Sequence, residues 1–141
     1  MRARIFVISF ALVVAQFSVM SSGLAQSSAT IERGKYLVEG VGVCNDCHTP
    51  RNDRGEFDRA RLLQGTILEF ASIKPIPGWA KTSPPLAGLS RFSERHVVTV
   101  LETGARPDGK PPAPPMPTYK MSHEDALAAV AYLKTLKPPA K

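Results

Sequence analysis

The most informative stretch of this chain is Cys44-Asn45-Asp46-Cys47-His48. It contains both cysteines of the 141 residues, three positions apart and followed at once by a histidine. This is the C-x-x-C-H pattern of covalent c-type haem attachment. Two cysteines at this spacing can each bond one vinyl group of the same porphyrin, and the next imidazole then lies under the iron as its proximal ligand. The pattern therefore predicts one haem c, covalently bound through Cys44 and Cys47, with His48 on the iron.

Three other interpretations of the same five residues stay open at this point. A thiol–disulfide redox pair would sit at a helix start within a strand–helix–strand unit, and no such pattern is visible. Structural zinc needs four ligands, and the chain has no second pair of cysteines. The third interpretation is a chance occurrence in a structural loop. Haem is favoured because the motif is accompanied by an export signal, and c-type haem is attached outside the cytoplasmic membrane.

The first 25 residues are typical of a secretory signal peptide. Arginines near the N-terminus precede an apolar run over residues 5–20, and small residues lead up to a cleavage site after Ala25. The alternative is a retained anchor helix, but this run of 16 residues, interrupted by Gln16, falls short of the roughly 20 that span a bilayer. We therefore expect a signal peptide over residues 1–25 and one exported, periplasmic domain over residues 26–141, without stable membrane insertion after cleavage.

Length, charge and cysteine count exclude several classes of protein. A chain of 141 residues suits one domain. Two cysteines cannot build a disulfide-rich scaffold. The net charge of +6 comes from scattered basic residues rather than from a cluster on one face, which argues against a nucleic-acid partner.

Three stretches combine a capping residue with apolar residues at three- to four-residue spacing, which predicts helices. They are residues 30–41 capped by Thr30, residues 93–103 capped by Ser93 and stopped by Gly104, and residues 122–137 opened by a capping box of Ser122 and Asp125 and closed by Pro138-Pro139. Residues 49–92 show no sustained period or strand alternation, although residues 59–70 could include a short helix or strand. Irregular segments this long indicate that a cofactor fills the centre of the domain.

A second axial ligand would make the haem an electron carrier, whereas an open iron site would bind gases or peroxide. The candidates are His96, Met116, Met121 and His123. The two histidines lie in first turns of predicted helices and suit the surface, and Met121 suits a hydrophobic staple or the core. Met116 stands among six prolines in residues 107–117, which we call the strap and expect to be extended and stiff. A core methionine is the alternative for Met116, but spacing favours ligation.

Four motifs together resemble class I c-type cytochromes, and more narrowly the haem modules in cytochrome c subunits of periplasmic alcohol, aldehyde and gluconate-type dehydrogenases. The motifs span residues 30–138. They are G-K-Y-L-V at 34–38, C-N-D-C-H-T-P-R at 44–51, P-P-M-P-T-Y at 114–119 and E-D-A-L-A-A-V-A-Y-L at 124–133.

This resemblance implies an all-α cytochrome c fold of about three to five helices around one haem, with long irregular loops. It also implies His48 and Met116 as axial ligands. The first and last helices would cross, with Gly34 allowing close approach and Tyr132 packing at the crossing. Those dehydrogenase subunits usually carry three haem modules and a membrane anchor, whereas we expect one module and no anchor here, and residues 70–92 match them poorly.

Two supporting groups are expected around the haem. A ligating histidine donates its second ring N–H to an acceptor, and a carbonyl in residues 75–85 is predicted for His48. Trp79 is predicted to pack on the haem edge and donate its indole N–H to a propionate, with a simple core role as the alternative.

The functional prediction is a periplasmic monohaem electron carrier, not an enzyme, which exchanges single electrons with a redox protein donor and acceptor. The first alternative is a dedicated haem subunit of a periplasmic dehydrogenase complex, docked through residues 70–92. The second alternative is a haem enzyme or gas sensor with an open iron site.

Overall fold

The computed structural model describes residues 28–140, so the predicted signal peptide lies outside the described residues. The chain divides into a unit of residues 1–30 and a unit of residues 31–141. In the first unit, residues 28–30 are helical. Thr30 therefore lies within helical residues, and its prediction as a cap is wrong. A capping preference is statistical, and a threonine can also occupy a helical position.

The second unit consists of helices joined by irregular loops, as predicted. Helix α1 covers residues 31–35 and runs directly into a π-helical turn, Tyr36–Val41. The later helices are α2 (Asn45–His48), α3 (Glu94–Thr103) and α4 (His123–Thr135), with short 3-10 turns at Arg59–Arg61 and Ala87–Leu89.

A small antiparallel sheet is added to this helical frame. Strands β1 (Thr66–Ile67) and β2 (Thr82–Ser83) pair with Thr66 opposite Ser83. The Arg59–Arg61 turn and β1 lie within residues 59–70, where a short helix or strand was expected, so that prediction is confirmed. Strand β2 was not predicted, because a strand of two residues is too short to show an alternating pattern. The pairing brings the ends of an otherwise irregular loop together.

The helix ends follow local chemistry. The Ser93 hydroxyl accepts a hydrogen bond at 3.2 Å from the backbone amide of His96, the third residue of α3. Gly104 ends α3 with a φ of 67°. The Ser122 hydroxyl likewise accepts from the Asp125 amide at 3.1 Å. These caps are confirmed, but the Asp125 carboxylate pairs with Arg33 at 2.9 Å.

The crossing of α1 and α4 is very close. A Cβ added at Gly34 would lie 1.9 Å from the carbonyl oxygen of Ala128 and 2.8 Å from Cβ of Tyr132. The Tyr132 side chain is buried, and its hydroxyl donates to the carboxylate of Glu39. Both predictions for this crossing, close approach at Gly34 and packing of Tyr132, are confirmed.

The core lies along the inner face of α4. Helix α4 packs against α3, against the Ala87–Leu89 turn and against the π-helical turn. The buried side chains of this core include Leu63, Ala87, Val97, Leu101, Ala126, Ala129, Val130 and Leu133. Within residues 28–140, no helix is both long and apolar enough to span a bilayer.

Candidate functional site

The π-helical turn sets the approach to the first cysteine. The Gly42 amide donates to the Leu37 carbonyl at 2.7 Å, and the Cys44 amide donates to the Val38 carbonyl at 3.0 Å. Between them, Val43 adopts a φ of 43°, which is uncommon for a β-branched residue. The two hydrogen bonds hold this tight turn, so Cys44 leaves the helix in a defined direction.

One turn of α2 places the three residues of the motif together. The His48 amide donates to the Cys44 carbonyl at 2.9 Å. Residues three apart lie on the same helical face, so Cys44 and Cys47 are neighbours there. Both cysteines are free and half-buried. Burial raises the pKa of the Cys44 thiol to about 11, and burial together with Asp46 raises the pKa of Cys47, so both are protonated at neutral pH.

The imidazole of His48 is buried and oriented. Only 6% of the residue is exposed, and Nδ1 lies 2.8 Å from the carbonyl oxygen of Pro84. Because a carbonyl can only accept, Nδ1 carries the proton and Nε2 presents its lone pair. Burial lowers the pKa of His48, although the Pro84 carbonyl partly opposes this. The prediction of an acceptor carbonyl within residues 75–85 is confirmed.

Neighbouring contacts keep Pro84 within reach of His48. Strand β2 ends directly before Pro84, and the Gly65 amide donates to the His48 carbonyl at 2.8 Å. The buried Thr49 hydroxyl accepts from the Leu63 amide at 3.0 Å. Sequence analysis assigned no role to Thr49, although its place directly after His48 was visible in the quoted motif.

Met116 is held in a turn. The Met116 amide donates to the Ala113 carbonyl at 3.2 Å, the Pro114–Pro115 peptide is cis, and the Met116 side chain is half-buried. The carbonyl of Pro114 accepts from the Ala80 amide at 2.6 Å, which links the strap to the loop that carries Trp79. The prediction of an extended strap is therefore wrong at residues 114–116, where this local hydrogen bond closes the chain, and also at residues 107–109, where the Gly109 amide donates to the Arg106 carbonyl at 2.8 Å.

The other three candidates for the second ligand make contacts of their own. The Met121 amide donates to the Leu101 carbonyl at 2.9 Å, and its side chain packs on the core. The His96 ring lies 4.7 Å from that of Phe92, and the exposed His123 pairs with Glu102 at 2.5 Å. These contacts agree with the core role predicted for Met121 and the surface role predicted for His123.

Trp79 offers a donor that no residue in the described part of the chain uses. Its Nε1 atom is buried, and no described residue accepts its hydrogen bond. The indole packs edge-on against Phe70, with ring centres 6.1 Å apart. Buried polar groups are rarely left without a partner, so this N–H indicates an acceptor beyond the described residues.

Tyr119 is a site residue to which the sequence analysis assigned no role. Its hydroxyl donates to the Gly42 carbonyl at 2.6 Å, next to the turn that delivers Cys44. Burial raises the pKa of Tyr119 to about 12, so the hydroxyl remains a donor at neutral pH. The only advance signal was its position three residues after Met116 in the strap motif.

Comparisons with known proteins agree with this geometry. A family profile described as Cytochrome c matches residues 31–137. A diheme cytochrome c-type protein of Cereibacter sphaeroides is 36% identical over 73% of this chain and 34% of its own length. The cytochrome c subunit of a quinone-type alcohol dehydrogenase from Gluconobacter oxydans is 34% identical over 78% of this chain and 24% of its own.

The cytochrome c subunit of a gluconate 2-dehydrogenase from Pantoea cypripedii is 32% identical over 79% of this chain and 27% of its own length. The chain thus spans about a third or less of the length of these curated relatives. The matches confirm the resemblance drawn from the motifs.

Proposed function

Because this chain belongs to the cytochrome c family, we propose that it is an exported, periplasmic monohaem electron carrier with His48 and Met116 as axial ligands of the haem iron. The observation that carries the proposal is the buried, Pro84-bonded imidazole of His48, one residue after two free cysteines. A single haem is proposed because the sequence has one C-x-x-C-H motif and no further cysteine.

The residues present fit such a haem. The thiols of Cys44 and Cys47 would form the thioethers, and Nε2 of His48 and the thioether of Met116 would bind the iron. The unpaired N–H of Trp79 suits a propionate oxygen. When bound, haem c supplies a one-electron ferric–ferrous couple.

The chain's own groups hold this site in one geometry. The Pro84 carbonyl fixes the ring orientation of His48 and raises its basicity as a ligand, as such acceptors generally do. Because His48 is buried, its imidazole is kept from bulk water. The local turn and the Ala80 bond order the backbone around Met116, which reduces the entropy lost when a weak thioether ligand binds.

The test compares two methionines that stand five residues apart. Met116→Ala should remove the far-red charge-transfer band of thioether-ligated ferric haem and open the iron to added ligands. Met121→Ala is the matched control and should keep the band, because Met121 packs on the core. A high-spin wild type would support an open-site enzyme or sensor, and a low-spin spectrum unchanged by Met116→Ala would refute ligation by Met116.

Alkaline pyridine titration should give one haem per chain, and the mature N-terminus should be Gln26.

A second candidate is favoured by the surface of the loop before Trp79. Phe70 and Ile76 are nearly half exposed, and Ile73 is fully exposed. Such side chains suit a stable partner, and several relatives are named as dehydrogenase subunits. In this version the chain is the haem subunit of a periplasmic dehydrogenase. Size-exclusion chromatography of native extract separates the two, because a free carrier elutes near its own mass.

A further inference from the structure

Tyr119, two residues after the strap, is hydrogen-bonded to the loop that delivers Cys44. The hydroxyl of Tyr119 donates to the carbonyl of Gly42 at 2.6 Å. The aromatic ring also packs there, since a Cβ on Gly42 would lie 3.7 Å from Cε1 of Tyr119 and 3.2 Å from Sγ of Cys44. The bond therefore lies beside the haem-attachment cysteine.

The acceptor end of this bond is held firmly. Gly42 is buried, and its amide donates to the Leu37 carbonyl at 2.7 Å. Two residues later, the Cys44 amide donates to the Val38 carbonyl at 3.0 Å. The Gly42 carbonyl is thus part of the π-helical turn, so Tyr119 is attached to a fixed element.

The donor end lies close to the proposed ligand. Tyr119 is three positions after Met116, a reach of at most about 11 Å even for extended chain. Upstream, residues 106–111 are exposed. The Pro114 bond to Ala80 holds the strap before Met116. After Tyr119, the next two residues donate hydrogen bonds to carbonyls of α3. The Tyr119 hydroxyl ties this stretch to the loop that carries Cys44.

We infer that Tyr119 is a positioning residue that keeps the strap closed, so that Met116 stays on the iron. This inference rests on the ligation proposed above. In this role, Tyr119 contacts neither the iron nor the Met116 side chain, and it acts through the backbone of residues 116–119. Its loss should raise the fraction of molecules in which the thioether has left the iron.

The experiment uses the holoprotein and imidazole, which binds ferric haem only after the thioether leaves. Tyr119→Phe keeps the ring and removes the hydroxyl. The matched control, Tyr132→Phe, also removes one tyrosine hydroxyl bond, to Glu39 at the helix crossing. Imidazole affinity is measured from the haem absorption, and urea unfolding is measured on the same samples.

Tyr119→Phe should keep the charge-transfer band and bind imidazole roughly 2- to 12-fold more tightly, the ratio that corresponds to one net hydrogen bond. Tyr132→Phe should lower the resistance to urea but leave imidazole affinity unchanged. Equal imidazole affinities in the two variants would overturn the role of Tyr119 while leaving ligation by Met116 intact. A low-spin spectrum that Met116→Ala leaves unchanged would overturn the ligation and, with it, the role of Tyr119.

Discussion

Substitution of Gly34 by alanine tests the close crossing of α1 and α4. The new Cβ would lie 1.9 Å from the Ala128 carbonyl oxygen, 2.6 Å from the carbonyl carbon and 2.8 Å from Cβ of Tyr132. None of these atoms can move by rotation of a side chain. Cβ atoms in real structures essentially never lie closer than 3.0 Å to such an atom. The helices must therefore separate by about 1.1 Å before the new Cβ reaches that distance from the Ala128 oxygen.

The expected cost follows from two opposing effects. Overpacking of a well-packed contact costs about 1–3 kcal/mol, and contact with backbone places Gly34→Ala at the upper end. Alanine recovers up to about 1 kcal/mol through its better helix propensity. The net loss is about 2 kcal/mol in the free energy of unfolding. For a domain of this size, that corresponds to a fall of roughly 10 °C in Tm.

The assay is thermal and urea unfolding of the holoprotein, followed by circular dichroism. Gly40→Ala is the matched control, because its Cβ would meet only Tyr36 ring atoms, the nearest at 3.4 Å. We expect this control to be as stable as the wild type or slightly more so. A Gly34→Ala protein with the wild-type Tm, or an equal fall in both variants, would refute the crossing geometry.

Two further predictions concern hydrogen bonds elsewhere in the domain. Thr49→Val removes the buried acceptor of the Leu63 amide and should lower the free energy of unfolding in urea by about 1–3 kcal/mol. The control, Thr99→Val at the α3 surface, should lower it far less. Equal losses of stability in the two variants would contradict this prediction. The Arg33 guanidinium lowers the pKa of Asp125, mainly through their hydrogen bond. This ion pair therefore adds stability at neutral pH, and that stability is lost as the pH falls through the folded-state pKa of Asp125. The Tm difference between wild type and Arg33→Gln should therefore shrink below about pH 4; a difference independent of pH would exclude this pair as its source.

Local signals in the sequence predicted both ends of α3 and the start of α4. Ser93 and Ser122 cap their helices because a serine hydroxyl needs only the amide three residues on. Thr30 failed as a cap, and the turn at residues 114–116 was missed, because the same residue types suit more than one backbone conformation.

Residues 44–48, together with the export signal, predicted a haem c, because both proposed thioether cysteines and the proposed proximal imidazole lie within one helical turn. The groups that orient those residues come from far along the chain: Pro84 for the ring of His48 and Tyr119 for the Gly42 carbonyl. The sequence narrowed the acceptor for His48 to residues 75–85 and assigned no role to Tyr119. A carbonyl acceptor has no residue-type signature, since every residue carries one. Folding alone selects which carbonyl meets which donor, and that selection places the ligands of this site.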